Sequence, residues 1–115
     1  MKYFLKRHVN DVTIISFQFK EISIDQREEL KKQLKELLET HHDKYVFNMR
    51  KIGFFTSLMI ATTLFFAKEL SKKDGEIKLC EMSDEAMDVL RHTKLEQVFE
   101  TYDTEKEAVE SFQEG

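Results

Sequence analysis

The chain has 115 residues, 41% hydrophobic and 35% charged, with no proline, no tryptophan and a single cysteine. That length suits one domain over 1–115, and an apolar fraction of this size, spread in short patterned runs, excludes an intrinsically disordered chain. Its 18 Lys and Arg stand against 22 Asp and Glu, a net charge of −4 with the signs interspersed, which excludes the clustered basic footprint of a nucleic-acid binder.

The first residues, Met1-Lys2-Tyr3-Phe4-Leu5-Lys6-Arg7, lack the apolar run and small-residue cleavage site of an export signal. With one cysteine unable to form an internal disulfide, the expected compartment is the cytoplasm. Tyr3 to Arg7 reads as a short strand. A turn at Asn10-Asp11 leads into Val12 to Phe19, a β-branched and aromatic strand with one buried face, and the two predict a hairpin. Ser23 followed by Gln26 is the reciprocal-cap pattern that opens a helix. Leu30, Leu34, Leu37 and Leu38 form its apolar stripe. The pairs Glu28–Lys32, Lys32–Glu36 and Lys35–Glu39 mark its solvated face.

Tyr45 to Met49 reads as a second core strand, followed by a loop holding Gly53. Thr56 or Ser57 caps a long helix running to about Lys73, and Asp74-Gly75 ends it. Its apolar segment Ile52 to Leu70 is interrupted by six polar residues, among them Thr56, Lys68 and Glu69. It therefore falls short of the ~18 uninterrupted apolar residues of a membrane span. Glu76 to Cys80 is an alternating strand, and Ser83 or Asp84 opens a brief helix through Leu90. Gln97 to Tyr102 reads as the last strand. Thr104 with Glu107 opens a final helix with Ala108, Val109 and Phe112 on its apolar side. The fold class expected is α/β, a mixed, mostly parallel sheet of four to five strands with about four helices.

Enzyme signatures are thin. Gly53, Gly75 and Gly115 are isolated, so no glycine-rich loop can cradle a phosphate, and no G-x-S-x-G elbow surrounds a serine. His8 falls in the expected turn and His92 near a helix end, and both read as solvent-exposed. His41-His42-Asp43 is the one compact metal-like cluster. Adjacent side chains point in different directions, so it reads as a cationic complement to a helix C-terminus rather than a metal site. Cys80 reads as a small buried side chain. The expectation is a non-enzyme with no cofactor and no metal.

Ile52-Gly53-Phe54-Phe55-Thr56-Ser57-Leu58-Met59 is the most informative segment. Two hydroxyls stand where a loop enters a helix. One of them caps the helix, and the other is a candidate covalent switch, because a helix N-terminus favours an added phosphoryl anion. The sequence leaves open which does which, with Ser57 the expected phosphoacceptor and Thr56 the second choice. On a helical wheel Ile60, Thr63, Leu64, Ala67 and Ser71 share one side. Thr62, Glu69, Lys72 and Lys73 lie opposite, with Leu58 and Phe65 among them. Two readings stand. Leu58 and Phe65 join Phe54 and Phe55 of the preceding loop in a docking patch, or the domain itself covers the helix on more than one side.

These residues resemble a family, the STAS domain of bacterial anti-sigma factor antagonists, over about Val12 to Phe112. Phe19-Lys20-Glu21-Ile22-Ser23 stands in the place of the family's strand exit, where the usual glycine is Lys20. Val46-Phe47-Asn48-Met49 and Ile52-Gly53-Phe54-Phe55 resemble the lead-in to the long helix, and Tyr102 to Ala108 the start of the closing helix. Against the family's Asp-Ser-Ser-Gly-Leu, this chain has Thr56-Ser57-Leu58-Met59-Ile60. The acceptor hydroxyl and the final aliphatic residue are kept. The resemblance implies a cytoplasmic regulator, a monomer or weak dimer, that binds an anti-sigma factor or serine-kinase-type protein. Phe54, Phe55, Thr56, Ser57, Leu58, Met59, Thr62 and Phe65 would form its partner surface, with no nucleic acid or membrane involved. Two alternatives keep the fold: a non-phosphorylated adaptor, and an accessory domain for small-molecule or lipid transport.

Overall fold

The computed structural model describes residues 2–113. β1 (Phe4–Val9) and β2 (Val12–Phe17) form the expected antiparallel hairpin, in register from Phe4↔Phe17 to Val9↔Val12. β3 (Lys44–Asn48), β4 (Glu76–Cys80) and β5 (Glu100–Tyr102) add in parallel, so the sheet order is β1-β2-β3-β4-β5. The connecting helices are α1 (Ile24–Leu37), α2 (Ser57–Ser71) and α3 (Asp84–His92), and α4 (Glu105–Ser111) follows β5. This is the mixed, mostly parallel α/β sheet with four helices that the pattern predicts.

Alternation along the strands builds two cores. Ile15, Phe17, Tyr45, Phe47 and Leu79 meet Leu30, Leu34 and Leu37 of α1, Met59, Phe66 and Leu70 of α2, and Ala86 and Leu90 of α3. On the other face Val12, Ile14, Val46 and Cys80 are covered by Ala108 and Val109 of α4. The thick face carries three helices and the thin face one. Lys78, buried on the thin face, donates to Ser111 Oγ at 2.7 Å and lies 4.2 Å from the Phe112 ring centre and 3.9 Å from carboxylate oxygens of Glu76 and Glu100, so its charge is met by two acids as well as a hydroxyl and a π face.

Because β2 to β5 are parallel, the loops after them gather at one end of the sheet with the N-termini of all four helices. The β1–β2 turn and the loops entering β3, β4 and β5 gather at the other. The first end is where a doubly wound sheet places its sites.

Several boundaries differ from the sequence reading. β2 stops at Phe17 rather than Phe19. The last strand begins only at Glu100. Leu95–Gln97 is a 3₁₀ turn entered through Lys94 at φ 62°, and Phe99 drops into the core instead of pairing. His8 lies in β1, not in the turn. α1 ends at Leu37 with Leu38 as its cap, so His41 and His42 are loop residues beyond the helix end, not its C-terminal complement. At the end of α2, Asp74 takes the left-handed conformation (φ 59°) and Gly75 does not. Gly75 is required for space: a Cβ there would sit 2.6 Å from Leu70 Cδ1 and 2.8 Å from the Asp43 carbonyl oxygen.

Candidate protein-docking site

The loop from β3 to α2 is pinned at three points. Met49 and Ile52 are buried, and the Ile52 N–H donates to the Met49 carbonyl at 3.0 Å. The Gly53 N–H donates to the Lys20 carbonyl at 3.0 Å, tying this loop to the one that leaves β2. Phe55 turns into the core, while Phe54 stays 61% exposed.

The structure resolves the two hydroxyls. Thr56 has extended backbone (φ −71°, ψ 167°), and its Oγ1 accepts the Met59 N–H at 3.3 Å, so Thr56 is the N-cap. Ser57 is the first helical residue, and it is exposed. Among the described residues its hydroxyl makes no hydrogen bond. The helices α1, α3 and α4 carry Asp25, Asp84 and Glu85, and Glu105 and Glu107 in their first turns, whereas α2 carries no acid there. Its positive dipole end is thus the one not already met by a carboxylate of its own helix.

The expected partner surface divides. Phe55, Met59 and Thr62 are buried, so they support the surface without reaching its exterior. Thr62 donates to the Leu58 carbonyl at 2.7 Å and accepts Arg27 Nε–H at 3.2 Å. Phe65 is half-buried, with Lys31 Nζ 4.7 Å from its ring centre. The line through Leu58, Thr62 and Phe65 is therefore the one packed against α1, and on this side the domain covers its own helix. The solvent side of α2 runs through Ser57, Ala61 and Lys68 instead.

One contributor escaped the sequence reading. Arg27–Thr62 fixes α1 beside α2 with both helices starting at the same end of the sheet. One turn back along each stand Ile24 and Leu58. Ile24 is 69% exposed and, with Phe54, accounts for two of the exposed large apolar side chains of the molecule. Its signal was an isoleucine inside a capping sequence, Ser23-Ile24-Asp25-Gln26, where no core contact requires one. Behind this apolar edge lies a basic rim: Lys20, Arg50 and Lys51 surround a shallow depression of about 370 Å³ with Gln18 and Phe19.

Asn48, at the end of β3, also has a role the sequence left unassigned. Its Nδ2 donates to Glu81 Oε2 at 3.1 Å and Glu105 Oε2 at 2.8 Å, while its Oδ1 accepts the Arg50 N–H at 2.9 Å. Glu105 also pairs with Arg7. These bonds join the loop leading to Ser57 to α4 across the sheet end. Cys80 is buried, and burial, followed by the nearby Glu81 and Glu105 charges, pushes its thiol up to about 12. It is therefore protonated at neutral pH and is no nucleophile. Among the described residues no group of three His, Cys, Asp or Glu side chains is arranged to hold a metal ion. Among the described residues no helix is long and apolar enough to cross a membrane.

A hairpin followed by parallel crossovers, with three helices on one face and one on the other, defines a single α/β domain architecture. The STAS domain model matches residues 3–108, and the chain belongs to that family. Its structure is similar to that of a Thermotoga maritima protein assigned to the anti-sigma factor antagonists, with 25% identity over 94% of this chain and 92% of that one and a TM-score of 0.85. It is likewise similar to an anti-sigma factor antagonist (STAS) domain protein of Planctomyces limnophilus, with 22% identity over 94% and 96% and a TM-score of 0.84. The phosphorylated form of the Bacillus cell fate determinant SpoIIAA matches at 19% identity over 95% and 98%, with a TM-score of 0.72. A comparison with curated proteins finds no match.

Proposed function

We propose that the chain is a cytoplasmic, non-enzymatic regulator that binds an anti-sigma factor or serine-kinase-type protein through the edge formed by Ile24, Phe54, Ser57 and the first turns of α2, and that phosphorylation of Ser57 releases the partner. The observation that carries this reading is the free, exposed Ser57 hydroxyl beside an apolar edge, with Thr56 already committed to the cap. A phosphoryl group there adds about −1.5 to −2 charges. The α2 dipole accommodates them within the domain, while an apolar partner surface does not. That SpoIIAA has a phosphorylated form supports the same switch here.

A second reading, a constitutive adaptor using the same edge, is favoured by one feature. Thr56 stands where the family has an acid, and α2 has no first-turn carboxylate to orient the acceptor. Affinity capture with wild-type and Ser57→Asp baits separates the two. A kinase-type partner held by the wild type and lost by Ser57→Asp, together with a mass gain of about 80 Da on incubation with that partner and ATP, supports the switch. Equal capture by both baits and no mass gain supports the adaptor.

A further inference from the structure

At the opposite end of the sheet the fold assembles a cluster that no segment of the sequence contains. His8, near the end of β1, has its ring centre 4.7 Å from that of His42, and His42 lies 4.5 Å from His41, both pairs tilted by 32°. The ring of His8 is oriented by a hydrogen bond between its Nδ1 and Thr13 Oγ1 at 3.1 Å. The three imidazoles, with Asn10, Asp11 and Asp43, line a depression of about 250 Å³ between the β1–β2 turn and the loop from α1 to β3.

We propose that His8, His41 and His42 form a proton-sensitive clasp, which holds the β1–β2 turn against the α1–β3 loop while the rings are neutral and loosens when the stack takes up charge. Geometry favours a proton over a metal. Metal ligands aim in-plane lone pairs at one point, whereas rings stacked at a shallow tilt carry theirs side by side, and no three side chains of this cluster are placed to share an ion.

The charged surroundings act in the same direction. Lys6 approaches from β1, and Lys73 approaches from the end of α2, where its Nζ donates to the Leu38 and Thr40 carbonyls. Asp11, in the turn, is engaged by Lys44 of β3 at 2.5 Å, which leaves Asp43 as the remaining carboxylate lining the depression. Partial burial first, then the charges of His41, His8, Lys6 and Lys73, hold His42 below the 6.5 of an ordinary imidazole. The unfolded chain therefore binds this proton more readily than the folded one. The clasp's contribution is complete above about pH 6.5 and declines as the pH falls through that value toward the lower folded one. The second bridge between the same elements, Asp11–Lys44, does not titrate in that range, since its carboxylate is held lower and its amine higher than usual by each other. Charging His42 thus loosens the turn without detaching it.

The test combines histidine-ring NMR titration with urea denaturation at about pH 7.5 and about pH 5.5 on the full chain, comparing wild type, His42→Gln and the distant control His92→Gln. The expected result is that His42 titrates below 6.5. The wild type and His92→Gln should lose midpoint on acidification, with the loss about twofold smaller in His42→Gln. His8→Gln provides the same readout if His42→Gln fails to fold. Titration of His42 at or above the free-imidazole value, or the same acid sensitivity in wild type and both cluster variants, would overturn the clasp. Micromolar Zn²⁺ binding abolished by His8→Gln would replace it with a metal site. None of these outcomes bears on Ser57, so the clasp and the proposed switch fail separately.

Discussion

The N-termini of α1 and α2 stand side by side at one end of the sheet, and they are finished differently. At α1 the cap is closed. Ser23 Oγ accepts the Gln26 N–H at 3.2 Å, Gln26 Oε1 accepts the Ser23 N–H at 3.0 Å, and Asp25 supplies a carboxylate to the first turn. At α2 only half of that device is present. Thr56 accepts the Met59 N–H, but the methionine thioether is only a weak acceptor and returns no bond to the Thr56 N–H, and no acid enters the first turn. The difference teaches that a helix start can be sound enough to fold and still remain electrostatically open. α1 has met its dipole internally, whereas α2 carries no first-turn carboxylate to meet its own, the end at which the proposed modification of Ser57 would place its charge.

The largest expected effect concerns what holds α2 in place despite its weaker cap. Phe66 is fully buried, with ring centres 5.0 Å from Tyr45 and 5.1 Å from Phe47. Phe66→Ala is expected to cost about 3–5 kcal/mol in urea denaturation. A cost no larger than that of a cap deletion would break the comparison, since the cap would then matter as much as the core. At the far end of the helix, Gly75→Ala forces a Cβ into Leu70 and the Asp43 carbonyl. It should cost about 1–3 kcal/mol by the same assay.

The caps come next. Ser23→Ala and Thr56→Ala should each cost about 1 kcal/mol, with Ser23→Ala the larger because it opens both halves of a box. The smallest effect is the most diagnostic. Ser57→Asp should raise thermal stability by about 0.3–1 kcal/mol, and Asp25→Asn should lower it by a similar amount, both shrinking at high salt. A destabilising Ser57→Asp would mean that the α2 start is not open to an anion and that the domain does not accommodate the charge the proposed switch adds.

Much of the fold was legible because its signals are local. Ser23 with Gln26 and Thr104 with Glu107 announced two helix starts, and the leucine spacing of α1 named its buried face. The hairpin was written in Val12 to Phe17 and the turn residues before it. The boundaries that moved did so under tertiary influence. Phe99 has strand chemistry, yet the core claims its ring and the chain reaches β5 through a left-handed Lys94. Thr62 looked like a solvent-side residue among Glu69, Lys72 and Lys73, because a helical wheel ranks polarity and cannot register the neighbouring α1.

By itself the sequence determined the element order, the α/β class, the caps at Ser23 and Thr104 and the short stretch in which Ser57 lies, since periodicity and capping act within one or two turns of chain. Only the tertiary structure decided that Thr56 caps and Ser57 stays free, that Ile24 joins Phe54 in an exposed apolar edge, and that His8 meets His41 and His42. Those outcomes depend on parallel crossovers, which bring segments distant in sequence to the same end of the sheet. No local pattern encodes which of them will become neighbours.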